Sequence, residues 1–260
     1  MRGHRRTPSL LSAGLFVSVG LSLSTLSSSG WAQAAASEAG GTLPAVSVSA
    51  AKDTAVAQAD TVSAGALGTR KAVDTPFSTR TVTSEEGKDL FATTANDLFK
   101  YDPAVSVSSE NAVAENSMFQ VRGMPIDTLN SIKVDGQTFP SWDTDLSLEP
   151  FEQVELLKGL SGFMYGFGSP GGIVNYVLKR PTDDPYRSIS VGYRSAGVFT
   201  EAIDLGGRFG NDNRFGYRLN LVNEDGNTAE QNGHIRRQVA SLALDFRITP
   251  DLTWTVDAFY

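Results

Sequence analysis

Between Pro181 and Tyr260, apolar and polar residues alternate with period two over long runs. Ile189, Val191 and Tyr193 fall on one side of the first run, and Ile203, Leu205 and Phe209 on one side of the next. Phe215, Tyr217, Leu219 and Leu221 follow, then Ala240, Leu242, Leu244, Phe246 and Ile248, and last Leu252, Trp254, Val256, Ala258 and Tyr260. Successive side chains of a strand point to opposite faces, so the stretch predicts about five strands, each with one apolar face. The opposite face carries Asp204, Arg218, Asn220, Asp245 and Arg247. A soluble antiparallel sheet would need a dry core on one side. Strands of roughly ten residues, apolar outside and charged inside, instead predict the wall of a transmembrane β-barrel. The connections read as compact turns at Gly210-Asn211-Asp212-Asn213 and Thr249-Pro250-Asp251, and one longer polar loop from Asn223 to about His234.

From residue 69 to Pro181 the runs are shorter and mixed, which predicts an α+β domain. Ser84 before Glu85 and Glu86, and Thr94 before Ala95, Leu98 and Phe99, predict the capped starts of two short helices, the second stopped by Asp102-Pro103. Alternation at Val105–Ser108, Met118–Val121 and Ser131–Asp135 predicts strands, the last closing on the turn pair Asp135-Gly136. Val154–Leu157 and Ile173–Lys179 predict two more, separated by a compact turn that Gly162, Gly166, Gly168, Gly171 and Gly172 punctuate.

Residues 1–68 predict no core. Arg2, Arg5 and Arg6, the apolar portion Leu10–Leu26 and the small residues Ala32-Gln33-Ala34 form the three parts of a secretory signal peptide cleaved after Ala34. Serines interrupt its apolar portion, whereas a membrane-spanning helix needs about 20 predominantly apolar residues. Residues 35–68 are rich in small residues and bury too little to offset ordering entropy, so they predict a mobile arm. Within it Leu43–Ala50 alternates behind Pro44, a pattern that fits both a plain linker and a strand added to the edge of another protein's sheet.

Composition then narrows the chemistry. Lys plus Arg number 22 against 29 Asp plus Glu, giving −7, or 19 − 29 = −10 once the three N-terminal arginines leave. Such a chain lacks the basic surface that nucleic acid requires. There is no cysteine, and the two histidines are His4 in the signal peptide and His234 in a polar loop. Thiolate and cysteine-zinc chemistry therefore have no residues to use, a histidine triad or metal cluster has almost none, and no enzyme is expected. Gly166-Phe167-Gly168-Ser169-Pro170-Gly171 has the spacing of a dinucleotide fingerprint, but a strand follows it where a helix is required. Asp143, Asp145, Ser147 and Glu149 suggest a calcium loop, yet Leu148 stands at the glycine position and Val154 at that of the terminal Glu.

Four stretches carry a family resemblance: Val121-Arg122-Gly123-Met124, Ile132-Lys133-Val134-Asp135-Gly136-Gln137, Glu152-Gln153-Val154-Glu155-Leu156-Leu157-Lys158-Gly159 and Tyr165 through Asn175, closed by Lys179-Arg180-Pro181. In order and spacing they resemble the plug of TonB-dependent outer-membrane receptors of the ferric-siderophore type, and the resemblance continues to Tyr260. It implies a signal peptide at 1–34 and an arm at 35–68 whose Leu43, Pro44, Ala45, Val46, Ser47, Val48 and Ser49 are a TonB box. It also implies an α+β plug at 69–181, a mixed sheet with short helices, and at 182–260 the first antiparallel strands of a transmembrane β-barrel, truncated before closure.

The activity so implied is uptake of ferric siderophore across the outer membrane, energised by TonB and its inner-membrane complex. The outer-membrane assembly machinery is a further partner, and no cofactor is implied, iron entering only within the transported chelate. The ligand-facing loops would be Ser109–Asn116, Pro125–Leu129 and Thr138–Trp142, with Phe139 and Trp142 for stacking and Asn116, Asp127 and Thr138 for polar contacts. Arg122, Gly123, Glu152, Glu155, Lys158, Gly171 and Gly172 would be structural. Of these, Arg122, Glu152, Glu155 and Lys158 would hold the plug against itself and the barrel wall through ion pairs that break and reform cheaply in water. About five strands cannot close a barrel, which takes at least eight and in this family about twenty-two. An open sheet in lipid leaves edge groups unsatisfied, so the chain reads as the N-terminal part of a longer receptor. Two alternatives stand beside that reading: a receptor for cobalamin, haem or another nutrient, and a periplasmic plug-and-arm module that binds TonB without transport.

Overall fold

A computed structural model describes residues 61–63, 68–75, 78–109, 118–141, 145–159, 165–166, 168–194, 197–228 and 231–260. Residues 1–34, the expected signal peptide, and the segment Leu43–Ser49 lie outside the described residues. Strands β1 (Thr61–Ser63) and β2 (Thr69–Lys71) pair antiparallel as a small sheet of their own. β1 falls inside the stretch whose composition predicts a mobile arm. It is held because Val62 is fully buried and Ser63 is bonded to the domain that follows.

The plug is built on a five-stranded mixed sheet. In chain order its strands are β3 (Ser78–Thr83), β7 (Ile132–Val134), β8 (Gln137–Thr138), β9 (Phe151–Lys158) and β10 (Gly172–Leu178), and in space they run β3-β9-β10-β7-β8. β10 and β7 are parallel, and the other neighbours are antiparallel. A second sheet joins β4 (Val105–Ser109), β5 (Met118–Val121) and β6 (Met124–Pro125). The β7–β8 turn is the Asp135-Gly136 pair, both at positive φ (47° and 80°), as a two-residue turn between twisted strands demands. Arg122-Gly123 repeats that geometry between β5 and β6.

Helix α1 (Ser84–Asp89) is capped by Thr83, one residue before the expected Ser84; its hydroxyl accepts from Glu86 N at 3.2 Å, with Glu85 and Glu86 in the first turn. Helix α2 (Ala95–Phe99) starts where expected, in a capping box between Thr94 and Asp97. Both lie among the elements packed on the apolar face of the main sheet. Val82, Val154, Leu156, Val174, Tyr176 and Ile132 form one cluster with Ala95, Leu98, Phe99, Phe119, Val121 and Phe151. Each such fully buried side chain is worth about 1.5–3 kcal/mol.

The wall follows as an antiparallel meander of β11 (Tyr186–Arg194), β12 (Val198–Phe209), β13 (Phe215–Asn227), β14 (His234–Thr249) and β15 (Leu252–Phe259). Its outer face is the predicted apolar one, exposed from Ile189 at 77% to Trp254 at 61%. Asp204, Arg218, Asn220 and Asp245 point inward and are buried. The predicted loop from Asn223 to His234 is shorter than expected: the ladder pairs Asn223 with Gln238 and continues to Asn227 opposite His234. Polarity in this stretch signals a strand solvated on its outer side, not a turn.

Candidate functional site

Two of the three predicted ligand loops are joined in the structure, since Ser141 N donates to Thr128 O at 3.1 Å. Asp127 organises the first of them. Its carboxylate accepts from Asn130 Nδ2 at 2.8 Å and from Leu129 N at 2.9 Å, and the Asn130 bond is the main reason its pKa lies below the ordinary value. Thr138 is exposed at the end of β8, and its hydroxyl accepts from Lys133 Nζ at 2.6 Å. Burial draws the Lys133 pKa down. Phe139 packs toward the wall, its ring centroid 6.0 Å from that of Phe259. Asn116 and Trp142 lie outside the described residues.

The residues expected to be structural divide by what they touch. Arg122 and Gly123 make the β5–β6 turn, anchored where Arg122 N donates to Ala104 O at 2.7 Å. Gly171 and Gly172 permit a close crossing of chains: a Cβ at Gly171 would lie 2.6 Å from Met124 O, and one at Gly172 only 2.1 Å from Leu157 O. Lys158 pairs with Asp102 at 2.5 Å. Burial would raise the Asp102 carboxyl, but the Lys158 ammonium and the Ala104 N–H outweigh it and hold its pKa low. Glu155 is fully buried and accepts from Ser63 N, Gln153 Nε2 and Asn175 Nδ2 at 2.7, 2.7 and 3.0 Å. Glu152 is half-buried on β9. Of the expectation that Glu155 and Lys158 hold the plug against itself and the wall, the part about the wall is corrected, because among the described residues their side chains bond to partners inside the plug or on β1.

The brace to the wall uses other residues. Lys179 Nζ reaches Asp204 at 2.9 Å and Asn220 Oδ1 at 3.0 Å, while Asp204 also takes two bonds from Arg218 at 2.6 and 2.9 Å. Burial pulls the Lys179 pKa below its ordinary value, against the pull of Asp204. Glu149 is held by both terminal nitrogens of Arg237 at 2.9 and 2.6 Å, and Arg237 also reaches Glu224, which Arg194 binds at 2.5 Å. Arg180 bridges Asp135 in the plug and Asp257 on β15. Asp183, in the connection, binds Arg208 at 2.6 Å and Arg247 at 2.7 Å. The signal for these pairs was present in the sequence: inward-facing charges on the strands require partners, and Lys179-Arg180 stands at the end of the plug.

Between α1, β9 and strands β11–β13 lies a cavity of about 130 Å³ whose polar lining includes Lys88, Gln153, Lys179, Ser188, Ser190 and Asp204. That volume and lining suit several waters. Neither buried apolar cluster contains a wall residue; all their members belong to the plug. The seam is thus held largely by charges beside a cavity with room for several waters, with Phe259 of the wall touching Phe139 and Phe151 of the plug as its aromatic contact. Among the described residues no group of three or more His, Cys, Asp or Glu is placed to hold a metal ion.

Residues 71–173 match the family described as the TonB-dependent receptor plug domain. The ferrichrome receptor FcuA of Yersinia enterocolitica is 30% identical over 188 residues, 70% of this chain and 24% of that protein. The ferrichrome outer membrane transporter/phage receptor of Escherichia coli is 27% identical over 240 residues, 87% of this chain and 30% of that protein. Among solved structures, the ferric preacinetobactin receptor BauA of Acinetobacter baumannii superposes with a TM-score of 0.70 at 29% identity, covering 77% of this chain and 30% of that one. The chain thus spans 24% to 30% of the length of these relatives. With residues 71–173 matching a TonB-dependent receptor plug domain and an open antiparallel wall of barrel type after them, this chain resembles the TonB-dependent receptors of the ferric-siderophore type.

Proposed function

We propose that the receptor containing this chain takes up a ferric siderophore across the outer membrane, with the plug as its gate. The observation that carries this reading is the polar seam. Moving a plug out of a dry interface would cost about 25 cal/mol per Å² of apolar surface exposed. Here most contacts are ion pairs beside a cavity large enough for water, so a displaced plug exchanges one set of polar partners for another and exposes little apolar surface. TonB, with its inner-membrane complex, would pair with Leu43–Ser49 by strand addition and supply the pull. Iron enters only within the cargo, and no residue is assigned a catalytic role. The signal peptide would direct export, and the apolar outer face of β11–β15 would lie in lipid after insertion by the outer-membrane assembly machinery. A free periplasmic module would leave Tyr193 and Trp254, 74% and 61% exposed, in water.

The test is uptake of radiolabelled iron by iron-starved cells that lack every other siderophore receptor and carry the complete gene. Hydroxamate and catecholate chelates are offered in turn, to the wild type and to a variant lacking residues 43–49. Uptake of one chelate class that disappears with the deletion is expected. Uptake indifferent to the deletion removes the TonB reading. Failure of all ferric chelates, with cobalamin or haem taken up instead, removes the siderophore.

A further inference from the structure

Charge does not balance around the cavity between plug and wall. Lys88 and Lys179 line it from the plug, Asp204 and Asn220 from the wall. Lys179 Nζ donates to Asp204 and Asn220, and Arg218 donates to both oxygens of the same carboxylate. Lys179, Arg218 and Asp204 are all buried, so two buried cations share one buried carboxylate. The other carboxylate of the lining, Glu149, is taken by Arg237, and Glu224 between Arg237 and Arg194 completes an even set of two cations and two anions. Lys88 is exposed and has no ion-pair partner among the described residues. The lining and the ion pairs behind it thus carry five cations, Lys88, Lys179, Arg194, Arg218 and Arg237, against three carboxylates.

A surplus of buried positive charge is unfavourable until something of opposite sign joins it. The surplus is felt at Lys179: burial pulls its pKa down, and the charges of Lys88 and Arg218 add to that pull against Asp204. The cavity has the room to meet it, because about 130 Å³ accommodates several waters and therefore a small tetrahedral ion. It also has the donors. An ammonium carries three N–H groups; Lys179 spends two on Asp204 and Asn220, and Lys88 spends none among the described residues. Ser84 on α1 and Ser188 and Ser190 on β11 also line the cavity, and their hydroxyls have no hydrogen-bond partner among the described residues.

We propose that this cavity is an oxyanion site, in which a free divalent tetrahedral anion of the sulfate or phosphate type bridges Lys88 and Lys179 of the plug to Ser188 and Ser190 of the wall. Its two negative charges equal the excess of five cations over three carboxylates. Charge-assisted hydrogen bonds from both sides make the ion a removable staple across the seam. The site does not depend on what the receptor transports.

The test is equilibrium dialysis of the complete receptor, purified in detergent, against radiolabelled sulfate in a buffer without other multivalent anions. Saturable binding is expected, displaced by inorganic phosphate far more readily than by acetate. Lys88→Gln removes a charge that holds no ion pair among the described residues, and Ser190→Asp puts a carboxylate into the lining; each is expected to weaken sulfate binding about tenfold or more. Sulfate is also expected to raise the urea midpoint of the wild type and to leave that of either variant nearly unchanged, a readout that requires the variants to be folded. No saturable binding, binding that either substitution leaves unchanged, or displacement by acetate as readily as by phosphate overturns the site. Neither measurement uses TonB or an iron chelate, so the site and the proposed uptake fail independently.

Discussion

The plug sheet and the wall sheet each have five strands and the same period-two alternation, yet they use their apolar faces in opposite ways. In the plug the apolar face is closed by elements of the same domain, and Leu156 and Val174 have no exposure at all. In the wall it faces outward and no element among the described residues covers it, so Ile189, Leu244 and Trp254 are 77%, 41% and 61% exposed. Along β12 this outer face is apolar from Ile203 to Phe209 and turns polar at Glu201, with Asn223 and Gln238 continuing the polar row on β13 and β14. At the other end Phe209, Phe215 and Phe246 stack at 5.5 and 4.6 Å, and Trp254 pairs with Phe246. An apolar band with an aromatic edge is what a bilayer selects. The comparison teaches that alternation fixes where a strand's two faces are, while the surrounding medium decides which of them is wet. Where plug and wall meet, the inward-facing charges of the wall find Lys179, Arg180 and Glu149 of the plug, and the seam is largely ionic for that reason.

The largest expected effect tests the seam. Asp204→Ala removes the carboxylate shared by Lys179 and Arg218 and leaves two buried cations, at a cost of about 3–5 kcal/mol. Urea unfolding of the receptor in detergent should show the midpoint fall. A change within error would mean that water already screens the cluster. The wall's outer face is tested next. Leu244→Arg lies at the middle of the apolar band and should cost about 2–4 kcal/mol in lipid vesicles, against about 0–1 for Asn223→Arg at the polar boundary. Equal costs at the two positions would break the contrast between plug and wall, since a water-facing surface has no depth profile.

How much of this was legible depends on how local the determinant is. The wall strands and their outward residues followed from alternation alone, and so did the two helix starts, because a cap is decided within four residues. The β7–β8 turn was legible because Asp135-Gly136 supplies both positive φ angles. The extension of β13 and β14 was not, since Asn223, Asp225 and Gln238 are as polar as a loop and only cross-strand pairing distinguishes the two. The strand β1 was hidden by its short length and plain composition, and its order comes from a residue 92 positions away, Glu155. The pairs Lys179 with Asp204 and Glu149 with Arg237 join residues 25 and 88 positions apart, so each charge could be seen in the sequence but its partner could not. Among the ligand loops, Asp127 sits in a self-contained turn and Phe139 against Phe259, roles that the residue types alone do not separate from contact with cargo.

A smaller effect concerns the polar face of the plug sheet. Burial raises the Glu155 pKa above its ordinary 4.5, with hydrogen bonds from Ser63, Asn175 and Gln153 opposing. The fold therefore prefers the protonated acid. Its contribution is fully present below the unfolded value and is lost as pH rises through the raised folded value. Asp102, Asp127 and Glu149, whose pKa values are lowered, act in the opposite sense and lose stability as pH falls. The Glu155 part is isolated by comparing wild type with Glu155→Gln across the acid range: the stability of the variant relative to wild type should increase with pH through that window. A difference that does not vary with pH would show that water already reaches the carboxylate.

The smallest expected effect is local to the dry side of the plug. Thr94 caps α2, and Asp97 returns bonds to Thr94 N at 3.2 Å and Thr93 N at 2.9 Å. Thr94→Ala removes one half of that reciprocal box and should cost about 1 kcal/mol, read as a lowered urea midpoint with an unchanged slope. The helix buries Ala95, Leu98 and Phe99 in the apolar cluster, so packing should hold it in place after the cap is lost. Thiol labelling at Thr81→Cys, a buried position beside Glu155, should then be the same with and without Thr94→Ala, because the cap belongs to the dry face and the reporter to the polar one. If the cap mutation exposes that thiol, the two faces of the sheet open together and the plug behaves as one cooperative unit, which would erase the distinction between its dry face and its polar one.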